Sequence, residues 1–312
     1  MAQRGPIAGK VMNNPKMPPN EAALDVTLWE TGRAVLNPGA DNDMPLIVVS
    51  TSARVGLNSA LTANRIEGDI RYLYALPTTA GRSPPIPPFD SAIAISLATF
   101  VEVGLVFIAV DPQVEGDLSV ASSVSRVARE AGLFVVALIA QTAEPSSDGR
   151  MHERDLLRAF DSVIALRASW PEAKPLACNI IRHIAGGLKV APPVCTDLAD
   201  VQGILRGAIV SVGVGEAEGS ASAGDADRAS GAATRAIVDV GRSRIAAATG
   251  LIVAIAGNHS VRLSEISRVT HLVGDLVESA DALVIPTVHV DARAPDGFRV
   301  LVFVAYRSHS LM

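Results

Sequence analysis

The chain has 312 residues, a formal net charge of −5 and 49% hydrophobic residues, enough for two domains that each bury a core. Its mild acidity excludes the basic footprint of a nucleic-acid binder, and no apolar run approaches the roughly 18–20 residues of a membrane span. The N-terminus lacks a charged-then-apolar leader pattern, so a cytoplasmic protein is expected, with no membrane insertion.

Residues 1 to about 40 are rich in Pro, Asn and Gly with no sustained period, and read as a mobile arm. From Leu46 to about Ala168, apolar strands alternate with helical segments, the pattern of a doubly wound α/β layer. Within it, Ser83-Pro-Pro-Ile-Pro-Pro88 reads as a stiff connector, because proline locks φ and removes an N–H donor. Leu105 to Val110 is a continuous apolar strand, Val120 to Ala131 reads as a helix, and Leu133 to Ala140 is a second strand. Together these three form a βαβ unit.

Leu176 to Leu188 reads as a further helix. Ala208–Val214, Leu251–Ala256, Ala282–Val290 and Arg299–Ala305 then read as strands. Glu216 to Ser230 reads as a flexible loop leading into a helix that contains Ala232 to Val240. Another helix carries Leu263, Ile266, Val269, Val273, Leu276 and Ala280 on one face. This order implies an α+β second domain. Cys178 and Cys195 lack CxxC spacing and read as two reduced thiols. His289-Val-Asp291 alternates like a half-exposed strand, and His183 and His271 have no ligand partner at i+4, so the histidines read as structural.

The turn after Leu105–Val110 holds the most informative residues. In a βαβ unit this turn meets the positive end of the next helix, where backbone N–H groups bind phosphate when glycines let it approach. Here only Gly116 stands in that turn. Val106-Phe-Ile-Ala109 and Val127-Ala-Arg-Glu-Ala-Gly-Leu-Phe-Val-Val-Ala137 resemble the FtsZ/tubulin superfamily, bacterial FtsZ in particular, without a gap. The family's GGGTGTG signature falls on Gln113-Val-Glu-Gly-Asp-Leu-Ser119. Arg65-Ile-Glu-Gly68 resembles the segment after the family's first helix, and Thr196-Asp-Leu-Ala-Asp-Val201 resembles its NVDFADV loop. Gly250–Gly257, Leu263–Ser279 and Phe298–Ala305 look like its C-terminal domain, so the likeness runs from Pro45 to Ala305.

The resemblance implies a Rossmann-like parallel-sheet N-terminal domain over 41–170, a central helix over 174–190, a smaller α+β C-terminal domain over 191–306 and a short tail. It also shows where this chain departs from the pattern. Ser50-Thr-Ser-Ala-Arg-Val-Gly56 stands where the family has consecutive glycines, and Ala75-Leu-Pro77 where it has NTD. The loop facing the terminal phosphate is replaced by the proline connector. The start of the central helix is expected to be cut short around Lys174-Pro175. The groups left to hold GTP or GDP are Gly116, Ser119, Arg150 and Arg54.

Asp111, Glu115 and Asp117 lie in or beside the turn. Each would meet a phosphate charge at a cost of roughly 4 kcal/mol at about 4 Å and an effective dielectric of 20. Either Glu115 or Asp117 takes the phosphate's place at the start of the helix, or these are solvated loop acids. A bridging metal would still allow nucleotide to bind.

Asp197 and Asp200 stand at the family's catalytic positions, where the resemblance implies positioning of water for hydrolysis on a neighbouring subunit's nucleotide. The alternative is that Asp197 caps the helix beginning near Val201. The leading expectation is an FtsZ-like cytoskeletal or cell-division protein, a pseudo-GTPase that assembles end to end with itself and needs no cofactor. Two others stand beside it. One is a GTPase with rebuilt phosphate contacts; the other is a regulator that caps or co-assembles with an authentic FtsZ.

Overall fold

A computed structural model of the chain describes residues 25–34, 46–51, 57, 70–78, 93–95, 104–140, 153–188, 196–219, 227–290 and 297–307. Their strands are β1 (Asp25–Ala34), β2 (Leu46–Ser50), β3 (Ile70–Thr78), β4 (Ile93–Ile95), β5 (Leu105–Val110), β6 (Phe134–Ala140), β7 (Ser162–Leu166), β8 (Ala208–Glu218), β9 (Gly250–Gly257), β10 (Leu283–Val290) and β11 (Gly297–Arg307). The helices are α1 (Asp117–Glu130), α2 (Glu153–Ala159), α3 (Trp170–Gly187), α4 (Leu198–Leu205), α5 (Asp227–Val240), α6 (Arg242–Ala246) and α7 (Leu263–Gly274).

All of these strands join one sheet in the order β10-β9-β11-β8-β7-β6-β5-β2-β3-β1-β4. The run from β3 through β2, β5, β6 and β7 to β8 is parallel throughout, whereas β11 pairs antiparallel with both β8 and β9. The two expected halves are therefore a parallel portion, edged by the antiparallel strands β1 and β4, and a mixed portion of the same sheet, joined where β7 pairs with β8.

Strands of the parallel half are apolar on both faces because both faces are covered. Leu105, Phe107 and Ala109 of β5 pack with α3, while Val106, Ile108 and Val110 pack with α1 on the other face. The same two-residue period splits β11: Leu301, Phe303 and Ala305 join the α3 side, and Val300, Val302 and Val304 join α5 and α7. Helix α3 thus crosses both halves on one face, burying Ala173, Ala177, Ile180, Ile181 and Ile184.

Close approach of α5 to β8 needs small residues. A Cβ on Gly215 would lie 1.9 Å from the Ala232 carbonyl oxygen, and one on Gly213 2.3 Å from that of Ala236. Ala229, Ala232, Ala233 and Ala236 line the facing side of α5, all fully buried.

Four expectations need correction. Asp25–Ala34, inside the expected arm, is a strand whose residues pair with β3 and β4; the remainder of the arm up to residue 24 and from residue 35 lies outside the described residues. Its alternation of apolar and polar residues is weak, and its partners are supplied by strands far along the chain. The central helix is not cut short at Pro175 but starts at Trp170, with Pro171 in its first turn, where a missing N–H is tolerated. Helix α7 stops at Gly274, short of Ser279. Glu216–Glu218 extend β8, because β11 continues to pair with them as far as Gly297.

Candidate functional site at the ends of β2 and β5

Chain winding reverses between β2 and β5: β3 follows on one side, and β6, β7 and β8 on the other. In open parallel sheets the crevice beyond the strand ends at such a reversal is where ligands bind. The residues leaving these two strands are Thr51 and Asp111.

The turn from β5 into α1 is built without consecutive glycines. The Asp111 side chain accepts from the Gln113 N–H at 3.0 Å, and the Val114 N–H donates to the Asp111 carbonyl at 3.0 Å, closing a tight turn. Gly116 then takes φ +79° as the residue before α1, a left-handed conformation that glycine adopts without strain. That rotation delivers Asp117, the first residue of α1, into the crevice.

Asp117 is 3% exposed. Its Oδ2 accepts the Asp111 N–H at 2.7 Å and lies 2.7 Å from the Thr51 hydroxyl, 66 residues away in sequence. The same hydroxyl is 2.9 Å from the Ala109 carbonyl. A carboxylate therefore takes the backbone donor at the strand end and bridges the loops after β2 and β5. Burial pushes the Asp117 carboxyl above the ordinary Asp value, the bonds from Asp111 N–H and Thr51 pull it back in part, and the nearby Asp111 carboxylate adds to the rise.

Trp170 closes the crevice from the side of α3. It is 2% exposed, and its indole N–H donates to the Val110 carbonyl at 2.5 Å. Sequence reasoning missed this residue. The signal available was a tryptophan beside Pro171, marking a helix start, but nothing in it named Val110 as partner.

Gly116 and Ser119 are both exposed, one residue before and two residues after Asp117. The other two residues assigned to nucleotide, Arg54 and Arg150, lie outside the described residues. Of the two acids considered for the phosphate's place, Asp117 fills the crevice and Glu115 is exposed. The donor it captures is the strand-end N–H of Asp111, while the helix's own start has no side-chain cap. Among the described residues, no group of three or more His, Cys, Asp or Glu side chains is arranged to hold a metal.

Asp197 and Asp200 form a separate group. Asp197 precedes α4 and its Oδ1 accepts the Asp200 N–H at 2.8 Å, while Asp200 Oδ2 accepts the Asp197 N–H at 3.2 Å. This reciprocal pair is a capping box, which satisfies two donors at the helix start. The loop is fixed to the sheet edge by Thr196, whose hydroxyl donates to the Pro286 carbonyl of β10 at 3.0 Å. Sequence reasoning offered capping as one role for Asp197; Asp200 shares it.

No known family profile matches the sequence. Solved structures do. An empty FtsZ dimer from M. jannaschii superposes with a TM-score of 0.62 at 14% identity, over 86% of this chain and 89% of that one. The chain has the FtsZ/tubulin fold. CetZ2 from Haloferax volcanii, solved as a GTPγS-bound protofilament, is similar with a TM-score of 0.55 at 15% identity, over 85% and 95% of the two chains. TubZ from Bacillus thuringiensis serovar israelensis, in a GTPγS-form protofilament, gives 0.53 at 11% identity, over 85% and 88%. At these identities the scaffold is shared while the residues on it have largely been replaced. No described helix is long and apolar enough to cross a membrane.

Proposed function

We propose that this chain is an FtsZ-like cytoskeletal structural protein that assembles end to end with itself and does not bind GTP in the ordinary way. One observation carries the reading: the Asp117 carboxylate lies in the crevice between β2 and β5 and already accepts the Asp111 N–H. A phosphate there would have to displace that carboxylate or sit beside it. At about 4 Å and an effective dielectric of 20 the second course costs roughly 4 kcal/mol before screening. A second such contact, with the buried Asp111 carboxylate, brings the cost to roughly 8 kcal/mol, which two hydrogen bonds to a charged group at roughly 1.5–3 kcal/mol each do not offset.

Self-association is supported by the relatives solved as a dimer and as protofilaments. An interface near 1,600 Å² holds without nucleotide when its packing is good. Asp197 and Asp200 serve α4 in this reading, since each carboxylate is engaged by the other residue's N–H. Hydrolysis is then absent and the polymer has no nucleotide switch. Cell division or cytoskeletal organisation in the cytoplasm is the setting that the fold favours.

The test is pelleting and negative-stain microscopy of the purified chain with no nucleotide, with GDP and with GTP, together with assay of nucleotide released on denaturation. Filaments in all three samples with no nucleotide recovered are expected. Assembly that requires GTP, with GTP recovered, would overturn the proposal in favour of a GTPase with rebuilt contacts.

A further inference from the structure

Asn179, Arg182, His183 and Gly186 are spaced as one stripe of α3. The stripe faces the mixed half of the sheet. Arg299 on β11 donates to the Asn179 side-chain oxygen at 3.2 Å. A Cβ on Gly186 would lie 2.2 Å from Nδ1 of His289 on β10, so that imidazole fills the space a larger residue would take. The His183 and His289 rings meet edge to face with centroids 6.4 Å apart.

His183 is held in one protonation state. It is 1% exposed, and its Nδ1 lies 2.6 Å from the Asn179 carbonyl, which can only accept, so Nδ1 carries the proton. Nε2 is then an acceptor, and it has no hydrogen-bond partner among the described residues. Protonation would create an N–H donor with no acceptor among the described residues.

The charges around the ring make that state worse. From β10 it faces His289; from β11, Arg299; from its own helix, Arg182. The strands β5, β6, β7 and β9, which also pack against α3, carry no titratable side chain. Glu216 on β8 pairs with Arg299 at 2.6 Å and is not among the charges acting on the ring. A charged His183 would thus add a cation to a buried site where, among the described residues, the charges acting on it are those of Arg182 and Arg299, the latter shared with Glu216.

We propose that the contact between α3 and β10 is an acid-released latch: neutral His183 seats the central helix on the mixed half of the sheet, and protonated His183 lets it go. Burial accordingly pulls the ring down to about 3, against the bond to the Asn179 carbonyl and with help from His289, Arg299 and Arg182. When the seam opens, the ring regains its ordinary value near 6.5. Between those two values each pH unit of acidification favours the open form about tenfold, so roughly 30-fold between about pH 6.5 and pH 5. The linkage has the sign of a depressed base: the seam's full strength is present above about 6.5 and is lost as pH falls towards 3.

Amide hydrogen exchange of the full chain at about pH 7 and pH 5, corrected for intrinsic rates, tests this. Protection in 179–187 of α3 and in β10 is expected to fall by roughly 30-fold while α1, β5 and β6 keep theirs. His183→Leu, which cannot take a proton, is expected to abolish the difference, and His183→Gln serves if the leucine variant does not fold. Loss of protection spread evenly over α1, β5 and α3 would overturn the latch, as would an equal loss in the non-titrating variant or no loss at all.

Discussion

Replacement of Arg228 by Met is expected to be among the most damaging single changes in the mixed half of the sheet. Arg228 opens α5 and is 5% exposed. Its Nε and Nη2 grip both oxygens of Glu265 on α7 at 2.7 and 3.0 Å, while Nη1 reaches the Gly219 carbonyl at 2.7 Å and the Ser260 hydroxyl at 3.2 Å. Its guanidinium also stacks over Phe298 at 5.5 Å. One side chain therefore ties α5, α7, the end of β8 and the turn at Ser260. Methionine keeps much of the stem but leaves Glu265, itself 5% exposed, to the Arg262 N–H at 2.9 Å and the Arg262 charge.

Breaking one side of a buried pair costs about 3–5 kcal/mol, which at roughly 2–4 °C per kcal/mol is a fall of about 6–20 °C in Tm. Urea unfolding followed by circular dichroism gives the free energy directly. The double replacement Arg228→Met/Glu265→Met is expected to recover most of the loss, because no uncompensated charge remains. Acid supplies a second readout. Burial raises the Glu265 carboxyl, but the bonds and charges of Arg228 and Arg262 together outweigh it and hold the group below the usual carboxylate range. The stability it contributes is present above about 4.5 and is lost as pH falls through the depressed value. The deficit of Arg228→Met is therefore expected to shrink in acid. A variant within about 1 kcal/mol of the parent, or a double replacement worse than the single, would refute this account of the pair.

Four further outcomes are expected. Asp117→Asn keeps an acceptor for the Asp111 N–H and removes a charge that burial disfavours. Because the Asp117 carboxyl is raised, its favourable contribution is present below the ordinary 3.8 and is lost as pH rises through the folded value, so the parent is expected to weaken relative to Asp117→Asn from about pH 4 upward in urea titrations. Gly215→Ala drives a methyl to within 1.9 Å of the Ala232 carbonyl and is expected to destabilise by at least about 1–3 kcal/mol. Gly231→Ala, whose methyl meets only an Arg235 side-chain atom at 3.8 Å, is expected to raise stability by about 0.5–1 kcal/mol, and thermal melts of the two separate these cases. Asp197→Ala removes one arm of the α4 capping box and is expected to cost about 1 kcal/mol by urea titration.

The chemistry of single segments was legible in the sequence, while partnerships across it were not. The unbroken apolar run Leu105–Val110 announced a strand covered on both faces, and β5 has those bounds. The turn without consecutive glycines directed attention to Glu115 and Asp117, and the second of these lies buried between the strand ends. Its hydroxyl partner, Thr51, could not be read, because the contact depends on β2 and β5 lying side by side. His183 and His289 illustrate the same limit from the other direction. Each looked unremarkable on its own element, because periodicity reports the face of an element and is silent about what meets that face. The start of α3 was misplaced since Pro175 reads as a break, and whether a helix tolerates it depends on the packing of Trp170 and Ala173 below it.

The junction between the two halves also determines how the molecule bears load. Strands β7 and β8 share only the register from Ser162↔Ala208 to Ala165↔Ser211, the shortest ladder of the sheet apart from the outer pair β1 and β4. A tensile force applied across the strands would find its weakest rung there, with α3 lying over the seam as a brace. Tension along that direction would be felt first as strain in this brace, which makes the central helix the natural strain gauge of the sheet.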